Sequence, residues 1–292
     1  MSRFTDHIAM PANPLPLPIN AAPDPLDRAM EPLLSEPFAS ALDADEAAAM
    51  AASGPLRARL LTRLQASRAA SAAMITSRPK RLATAQLAAG VAERVLYAAA
   101  QDRPLRPGEP WRARLLELQP GSRWQGPDAG CHREWLVLRG SAGIGREQLH
   151  PRDYHAAPAG AAVGALSSER GALLFLRESA IAPRPADAPF TVRDTDAGWP
   201  EFAPGIRRRV LWQRDGQAAL LYHAQRGAAV PRHTHGHDEE CLMVQGELFL
   251  DDLLLQEGDY QLAPAGTGHH ITETDTGVVI YAHGDLDLRF VA

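Results

Sequence analysis

The sequence predicts a mainly β chain, with two tandem β-domains of roughly one hundred residues each behind a short α-helical N-terminal extension. Three observations predict it. After Pro79 the chain turns to short apolar runs punctuated by Gly and Pro, with almost no helical periodicity. A long ungapped internal repeat covers this β-rich part. Ahead of it, residues 43–68 carry helix start and stop signals.

Residues 1–37 are dense in proline, which removes amide donors and disfavours helix before each ring, so an extended leader is expected there. Asp43-Ala-Asp-Glu46 has the form of a capping box, alanines follow, and Gly54 can end that helix. Ser53-Gly-Pro55 opens a second helix, with Leu56, Leu60 and Leu64 on one stripe and Arg57, Arg59, Arg63 and Arg68 on its other sides. The pair reads as a helical hairpin that either docks a partner or packs its leucine stripe on the next domain.

Laying Gly121 on Gly227, a shift of 106 positions, matches Gly140 to Gly246, Asp153-Tyr154 to Asp259-Tyr260, Ala157-Pro158-Ala159-Gly160 to Ala263-Pro264-Ala265-Gly266, and Gly171 to Gly277. Upstream, Gly90 to Tyr97 echoes Gly205 to Trp212 at a shift of 115, which implies about nine extra residues in the first copy, around Arg103 to Pro110. The stretch between the copies, Ala182 to Pro200, is proline-rich and expected to run over the surface.

A net charge of −5 and a pI near 6.1 supply no basic face for phosphates, so no nucleic-acid partner is expected. No apolar run is long enough for a membrane span, and Met1 to Leu17 lacks the pattern of a secretory signal, so a cytoplasmic location with no membrane partner is the expectation. The two cysteines, Cys131 and Cys241, are too few for a disulfide framework or a thiolate zinc site.

The chemistry gathers between Gly227 and Gly246. On an extended strand His233 and His235 leave the same face, and Glu239 has the parity to join them after a short loop. A Pro264-x-Gly266 turn then brings His269 to a strand start. Three imidazoles and one carboxylate suit a borderline divalent ion rather than Mg or Ca, which prefer oxygen donors. Tyr260, Met243, Phe249 and Tyr281 are either pocket lining or plain core, while His237, His270, His223 and His283 read as loop, strand-end or supporting residues. At the repeat shift the ligand positions of the first copy are Pro127, Ala129, Arg133 and Val163, and the nearby Cys131, His132, Glu134 and His155 lack the spacing of a replacement set.

Gly227, five residues, His233-x-His235, three residues, Glu239, six residues, Gly246 resembles the first cupin motif. Gly258, five residues, Pro264-x-Gly266, two residues, His269 resembles the second, with Glu273 at the position where an asparagine is frequent. The resemblance, over residues 80–292, implies a bicupin: two double-stranded β-helix (jelly-roll) barrels, one metal-free and one metal-binding. It divides the chain into a leader at 1–80, a degenerate cupin at 81–182 and a metal-binding cupin at 183–292. The motif spacing selects Glu239 over Glu240, which a regular strand points outward. The implied cofactor is one divalent transition metal per chain, Zn or Fe first, then Mn, Ni or Co.

Gly205 to Trp212, Ala219-Leu-Leu-Tyr222 and Pro231-Arg-His-Thr-His235 resemble, more narrowly, the cupin domain of ChrR-type anti-sigma factors, as does the leucine and arginine helix at 56–68. That resemblance implies a sensory or regulatory cupin that responds to a small ligand or oxidant and reaches a protein partner through the N-terminal helices. The histidine and cysteines of an anti-sigma zinc domain are lacking, since residues 1–80 hold no cysteine and one histidine, His7. The alternative is a metal-dependent dioxygenase acting on a small organic substrate, in which Glu239 detaches to serve as a base. Cupin barrels often pair by strand exchange, so a homodimer and an internal pairing of the two barrels are both expectations.

Overall fold

The computed structural model describes residues 58–59, 61–62, 72–100, 102–126 and 130–291. The chain divides into two units, Met1–Gln65 and Ala66–Ala292. In the first, residues 58–59 and 61–62 are helical, and the rest of the expected hairpin lies outside the described residues. Among the described residues no helix is long and apolar enough to cross a membrane.

The second unit is mainly β and contains both copies of the repeat, each built on one large antiparallel sheet. The first copy's large sheet runs, in spatial order, Phe190–Val192, Tyr154–Ala157, His132–Gly140, Ala172–Ser179, Pro110–Leu118, Val91–Ala98 and Ala85–Ala88. The second copy repeats this as Ile75–Ser77, Tyr260–Ala263, Glu239–Leu250, Val278–Asp285, Gln217–Ala224, Ile206–Arg214 and Glu201–Ala203. A small sheet completes each half: Ser122–Trp124, Leu166–Ser168, Ala142–Ile144 and Glu147–Leu149 in the first, and Gly268–His269, His233–Thr234 and Arg289–Phe290 in the second.

Period-2 alternation explains how one strand serves two apolar layers. In Ala172–Ser179, Leu174 and Leu176 point into the first barrel's core with Val137, Ile144 and Leu166, whereas Phe175 faces the opposite way. In Val278–Asp285, Val278 and Ile280 join the second barrel's core with Leu248 and Leu255, whereas Val279 and Tyr281 face out of it. The outward sets meet in a third cluster, with Tyr154, Leu242, Tyr260 and Trp212, which seals one barrel to the other. A strand buried on both faces reads as an apolar run, as the first five residues of each of these do.

Two strands cross between the halves. Ile75–Ser77 precedes the first copy yet pairs with Tyr260–Ala263 of the second. Phe190–Val192 lies in the stretch between copies and pairs with Tyr154–Ala157 of the first. The two edges match residue for residue: Thr76 Oγ1 accepts from Gln261 Nε2 at 3.1 Å, and Thr191 Oγ1 bonds His155 Nδ1 at 2.9 Å. The expectation of a linker that merely runs over the surface is thereby corrected for this segment, because a barrel edge needs a partner and three residues suffice to cover it.

The repeated glycines have a steric cause. Gly140 and Gly246 adopt φ of 72° and 79°, and a Cβ on either would sit 2.1 or 2.2 Å from the carbonyl oxygen of Gly171 or Gly277. Any side chain there collides with the neighbouring strand, so both copies hold glycine at this position.

The extra residues of the first copy reach the second barrel. Arg106 Nη2 pairs with Asp238 at 2.5 Å, Pro107 O accepts from Gln217 Nε2 at 3.3 Å, and Gly108 O accepts from Arg177 Nη2 at 2.6 Å. Arg177 itself lies between the barrels, donating Nε to Glu240 at 2.7 Å and Nη1 to Glu134 at 2.9 Å. Tyr154 donates to Glu134 at 2.8 Å and Tyr260 to Glu240 at 3.0 Å, equivalent bonds at the repeat shift of 106.

Candidate metal centre

His233 and His269 face each other across the short antiparallel pair formed by His233–Thr234 and Gly268–His269. His235 is pinned to the Pro264 to Thr267 turn by two backbone bonds, its N–H to Thr267 O at 2.9 Å and its carbonyl from Gly266 N at 2.8 Å. Glu239 opens the strand Glu239–Leu250, in register with Ala263. The four residues singled out by spacing are therefore brought to one end of the second barrel.

Their side chains converge. Ring centroids are 5.3 Å apart for His233 and His235, 5.7 Å for His233 and His269, and 5.1 Å for His235 and His269. Donor atoms of His233, His235 and Glu239 all lie within 4.8 Å of one another. The three histidines are 2–4 % exposed and the Glu239 side chain is 11 % exposed.

Each ring is held from behind. His233 Nδ1 bonds Pro231 O at 3.1 Å, and His269 Nδ1 bonds the Asp251 carboxylate at 3.2 Å. His235 Nδ1 meets Thr267 Oγ1 at 3.4 Å, and since that hydroxyl donates to Pro264 O at 2.6 Å it accepts from the ring. The hydrogen-bond network thus assigns the proton to Nδ1 in all three rings and leaves the Nε2 lone pairs free. His235 Nε2 lies 2.9 Å from Glu239 Oε2 yet has no well-directed hydrogen-bond partner, so both atoms are free to face a third group.

Electrostatics agree with a cation-binding set. Burial alone would raise the Glu239 carboxyl, but positive charge on the facing His235, His233 and His269 rings draws it down to about 2, and Glu239 in turn raises His235 against its own burial; a cation among these groups would act on the carboxyl in the same sense. Burial lowers His269, which favours the neutral ligating form. Against its own burial, the N–H groups of His270 and Ile271 together with His269 keep Asp251 below the ordinary carboxylate range.

Beside the quartet lies a cavity of about 60 Å³ lined by His233, Glu239 and His269 on one side and by Val230, Cys241, Leu248, Leu250 and Ile280 on the other. Tyr222 also lines it, and its buried hydroxyl has no partner among the described residues. These lining residues were not singled out by spacing; the alternation Cys241, Met243 and Leu248, Leu250 along one strand is the only local signal. Of the pocket residues proposed from sequence, Tyr260 and Tyr281 lie in the junction between barrels, Met243 lies in the second barrel's core, and Phe249 is half-buried and does not line the cavity.

Glu240 points away from the centre, as strand parity requires, but not outward to solvent: it is 1 % exposed and bound to Arg177. His283 stacks on Trp212 at 5.6 Å in the same junction, His237 pairs with Asp285, His223 packs against Trp199, and His270 is exposed. Cys131 and Cys241 are free and buried. In the first barrel Arg133 and Val163 line a small cavity, while positions 127 and 129 lie outside the described residues.

Residues 187–287 match the ChrR cupin-like domain family. No curated protein matches the chain in sequence. Among solved structures, a Nostoc punctiforme protein provisionally described as a dioxygenase is 15 % identical, covering 75 % of this chain and 85 % of its own, with a TM-score of 0.60. A protein from Pseudomonas aeruginosa, provisionally described as glyoxylate-induced, is 14 % identical over 75 % of this chain and 91 % of its own, with a TM-score of 0.58. The E162A mutant of Bacillus subtilis oxalate decarboxylase is 15 % identical over 74 % and 78 %, with a TM-score of 0.56. The chain is accordingly a cupin-fold protein, a pair of barrels of which the second resembles the ChrR cupin-like domain.

Proposed function

We propose that His233, His235, Glu239 and His269 hold one divalent transition metal, Zn or Fe before Mn, Ni or Co, and that the second barrel is a sensory module of the ChrR-like kind. The observation that carries the metal reading is the convergence of three imidazoles whose Nδ1 atoms are already engaged on a buried, ionised carboxylate. Bound there, the metal supplies a Lewis-acidic centre able to take a small ligand or oxidant.

The chain's own residues supply the rest. Pro231, Thr267 and Asp251 fix the ring orientations, and the apolar wall from Val230 to Ile280 keeps bulk water from the inner side. A cavity of about 60 Å³ suits a small apolar molecule or oxidant rather than an extended aromatic substrate. Asp238, next to Glu239, caps Ala265 N at 2.8 Å and pairs with Arg106 of the first copy, which gives a change at the centre a route to the other barrel. Readout by a protein partner through the N-terminal helices completes the proposal.

The second reading is a metal-dependent dioxygenase, favoured by the direct opening of the cavity onto three of the four ligands, with Glu239 as the group able to take a proton. Metal analysis of protein purified without added metal, followed by an oxygen-uptake screen with small diketones and flavonols, separates the two. Tight metal with no uptake supports the sensory module; bound iron or nickel with uptake that disappears in His233→Ala supports the oxygenase; absence of any metal refutes both.

A further inference from the structure

The repeat gives most features of one copy a counterpart in the other, and one pair of counterparts differs in what fills it. At the upstream shift of 115, Ile75–Ser77 falls on Phe190–Val192 and Arg94 on Arg209. The pairing agrees: Ile75 sits opposite Leu262 and Phe190 opposite Ala156, partners one shift of 106 apart. Arg78 and Arg193 are equivalent as well, and each reaches an aspartate of the other copy, Asp259 at 3.6 Å and Asp153 at 3.2 Å.

Beyond these anchors the copies diverge. In the second, the short helix Asp194–Ala197 and then Trp199 fold over Arg209. Asp194 accepts from Arg209 Nη1 at 2.7 Å, and the Trp199 ring centre lies 4.3 Å from the guanidinium, so this cation is 2 % exposed between a carboxylate and an indole. At the equivalent positions of the first copy stand Pro79 and Thr84, which bring neither a carboxylate nor a ring. Arg94 pairs with Glu117 at 3.3 Å and stays 31 % exposed.

The space left beside Arg94 is a cavity of about 920 Å³, with Leu115, Leu138 and Val244 on one side and Arg78 to Leu82 with Thr84 on the other. Its counterpart in the second copy, around Gly246 and Gly277, has about 440 Å³ and does not reach Arg209, which the Trp199 ring covers. Six cationic and three acidic side chains line the larger cavity, so its charge favours an anion. A bare carboxylate would leave the leucine wall wet, and a ring alone would leave the cations unmatched; a ligand carrying both satisfies the two surfaces together. The second copy already joins these groups on Arg209, from its own chain.

We propose that this cavity binds a small aromatic monocarboxylate, its ring on the Arg94 guanidinium where the second copy places Trp199 and its carboxylate where the second copy places that of Asp194. The site shares no residue with the metal centre.

Indole-3-acetate, benzoate, indole-3-acetamide and acetate are titrated into the full-length protein at constant ionic strength, and binding is read by calorimetry. Saturable binding of indole-3-acetate and benzoate is expected, about tenfold or more weaker for the uncharged amide and for acetate, which lacks a ring. Arg94→Gln should weaken indole-3-acetate binding about tenfold or more. Pro79→Asp combined with Thr84→Trp installs the groups the second copy uses and should abolish binding. Both variants should keep the wild-type circular dichroism spectrum and cooperative urea unfolding, which shows that the chain is folded. Wild-type protein that binds neither aromatic acid overturns the proposal, as do equal affinities for indole-3-acetate and its amide, or binding that survives unchanged in either folded variant.

Discussion

Replacing Arg177 by methionine removes the buried cation that bridges Glu134 of one barrel and Glu240 of the other. Its side chain is 1 % exposed and bridges Glu134 and Glu240, which are themselves 1 % exposed. Both carboxylates also accept from tyrosines: Tyr154 and Tyr281 donate to Glu134 at 2.8 and 2.9 Å, and Tyr260 to Glu240 at 3.0 Å. These bonds soften but do not cancel the loss, because hydroxyl dipoles cannot replace a full charge at 2.7–2.9 Å. Breaking a buried pair from one side costs about 3–5 kcal/mol, a large share of the stability of a typical domain. With an m-value of about 3 kcal/mol/M, the urea midpoint falls by about 1–2 M with little change in slope. Adding Glu134→Gln and Glu240→Gln to the same chain should restore at least half of that loss, since neutral amides no longer need a counter-charge. A midpoint within about 0.3 M of wild type for Arg177→Met, or a triple variant no better than the single one, would refute the reasoning.

Further expectations concern pH, turns and the support of the metal centre. Burial pushes the His283 imidazole down to about 3, with Arg177 adding to the effect, and burial likewise lowers His132. A histidine depressed in the folded state contributes stability that is complete above its unfolded pKa near 6.5 and is lost as pH falls toward the folded value; from pH 6.5 to 5 His283 alone accounts for about 2 kcal/mol. Urea titrations of His283→Gln should show a shallower loss over that window, and an unchanged slope would contradict it. Gly246→Ala, with φ 79° and a Cβ 2.2 Å from Gly277 O, should cost well over 2 kcal/mol, whereas Gly227→Ala, at φ 77° with nothing within 4 Å, should cost about 1 kcal/mol by the same denaturation assay. Asp251→Ala frees the His269 ring and should weaken metal binding about 10–100-fold in a chelator competition, without unfolding the chain.

The convergence of His233, His235, Glu239 and His269 was legible because its parts are local. His233 and His235 share a face by parity, and the Pro264-x-Gly266 turn sets His269 opposite His233 in the pairing found. The separation of Glu239 from Glu240 also followed from parity, but the destination of Glu240 did not. Its partner Arg177 is 63 positions away in another barrel, and no spacing within one strand encodes such a pair. A trace of it was present all the same: Glu134 and Tyr154 lie one repeat shift ahead of Glu240 and Tyr260, so identical residues at equivalent outward positions marked the surface on which the copies meet. The exchanged strands Ile75–Ser77 and Phe190–Val192 were not legible, since three residues carry too little periodicity to be read. The cavity beside the quartet was missed for a different reason: its lining is aliphatic, and aliphatic side chains look alike in sequence whether they fill a core or leave a gap.

The central claim is that one metal sits in the second barrel, held by the quartet. Elemental analysis of full-length protein purified without added metal, beside His233→Ala with its folding checked by circular dichroism, tests it most directly. One equivalent of a transition metal per chain, close to none in the folded variant, is the result predicted. Two equivalents per chain, or an unchanged equivalent in the variant, would contradict it.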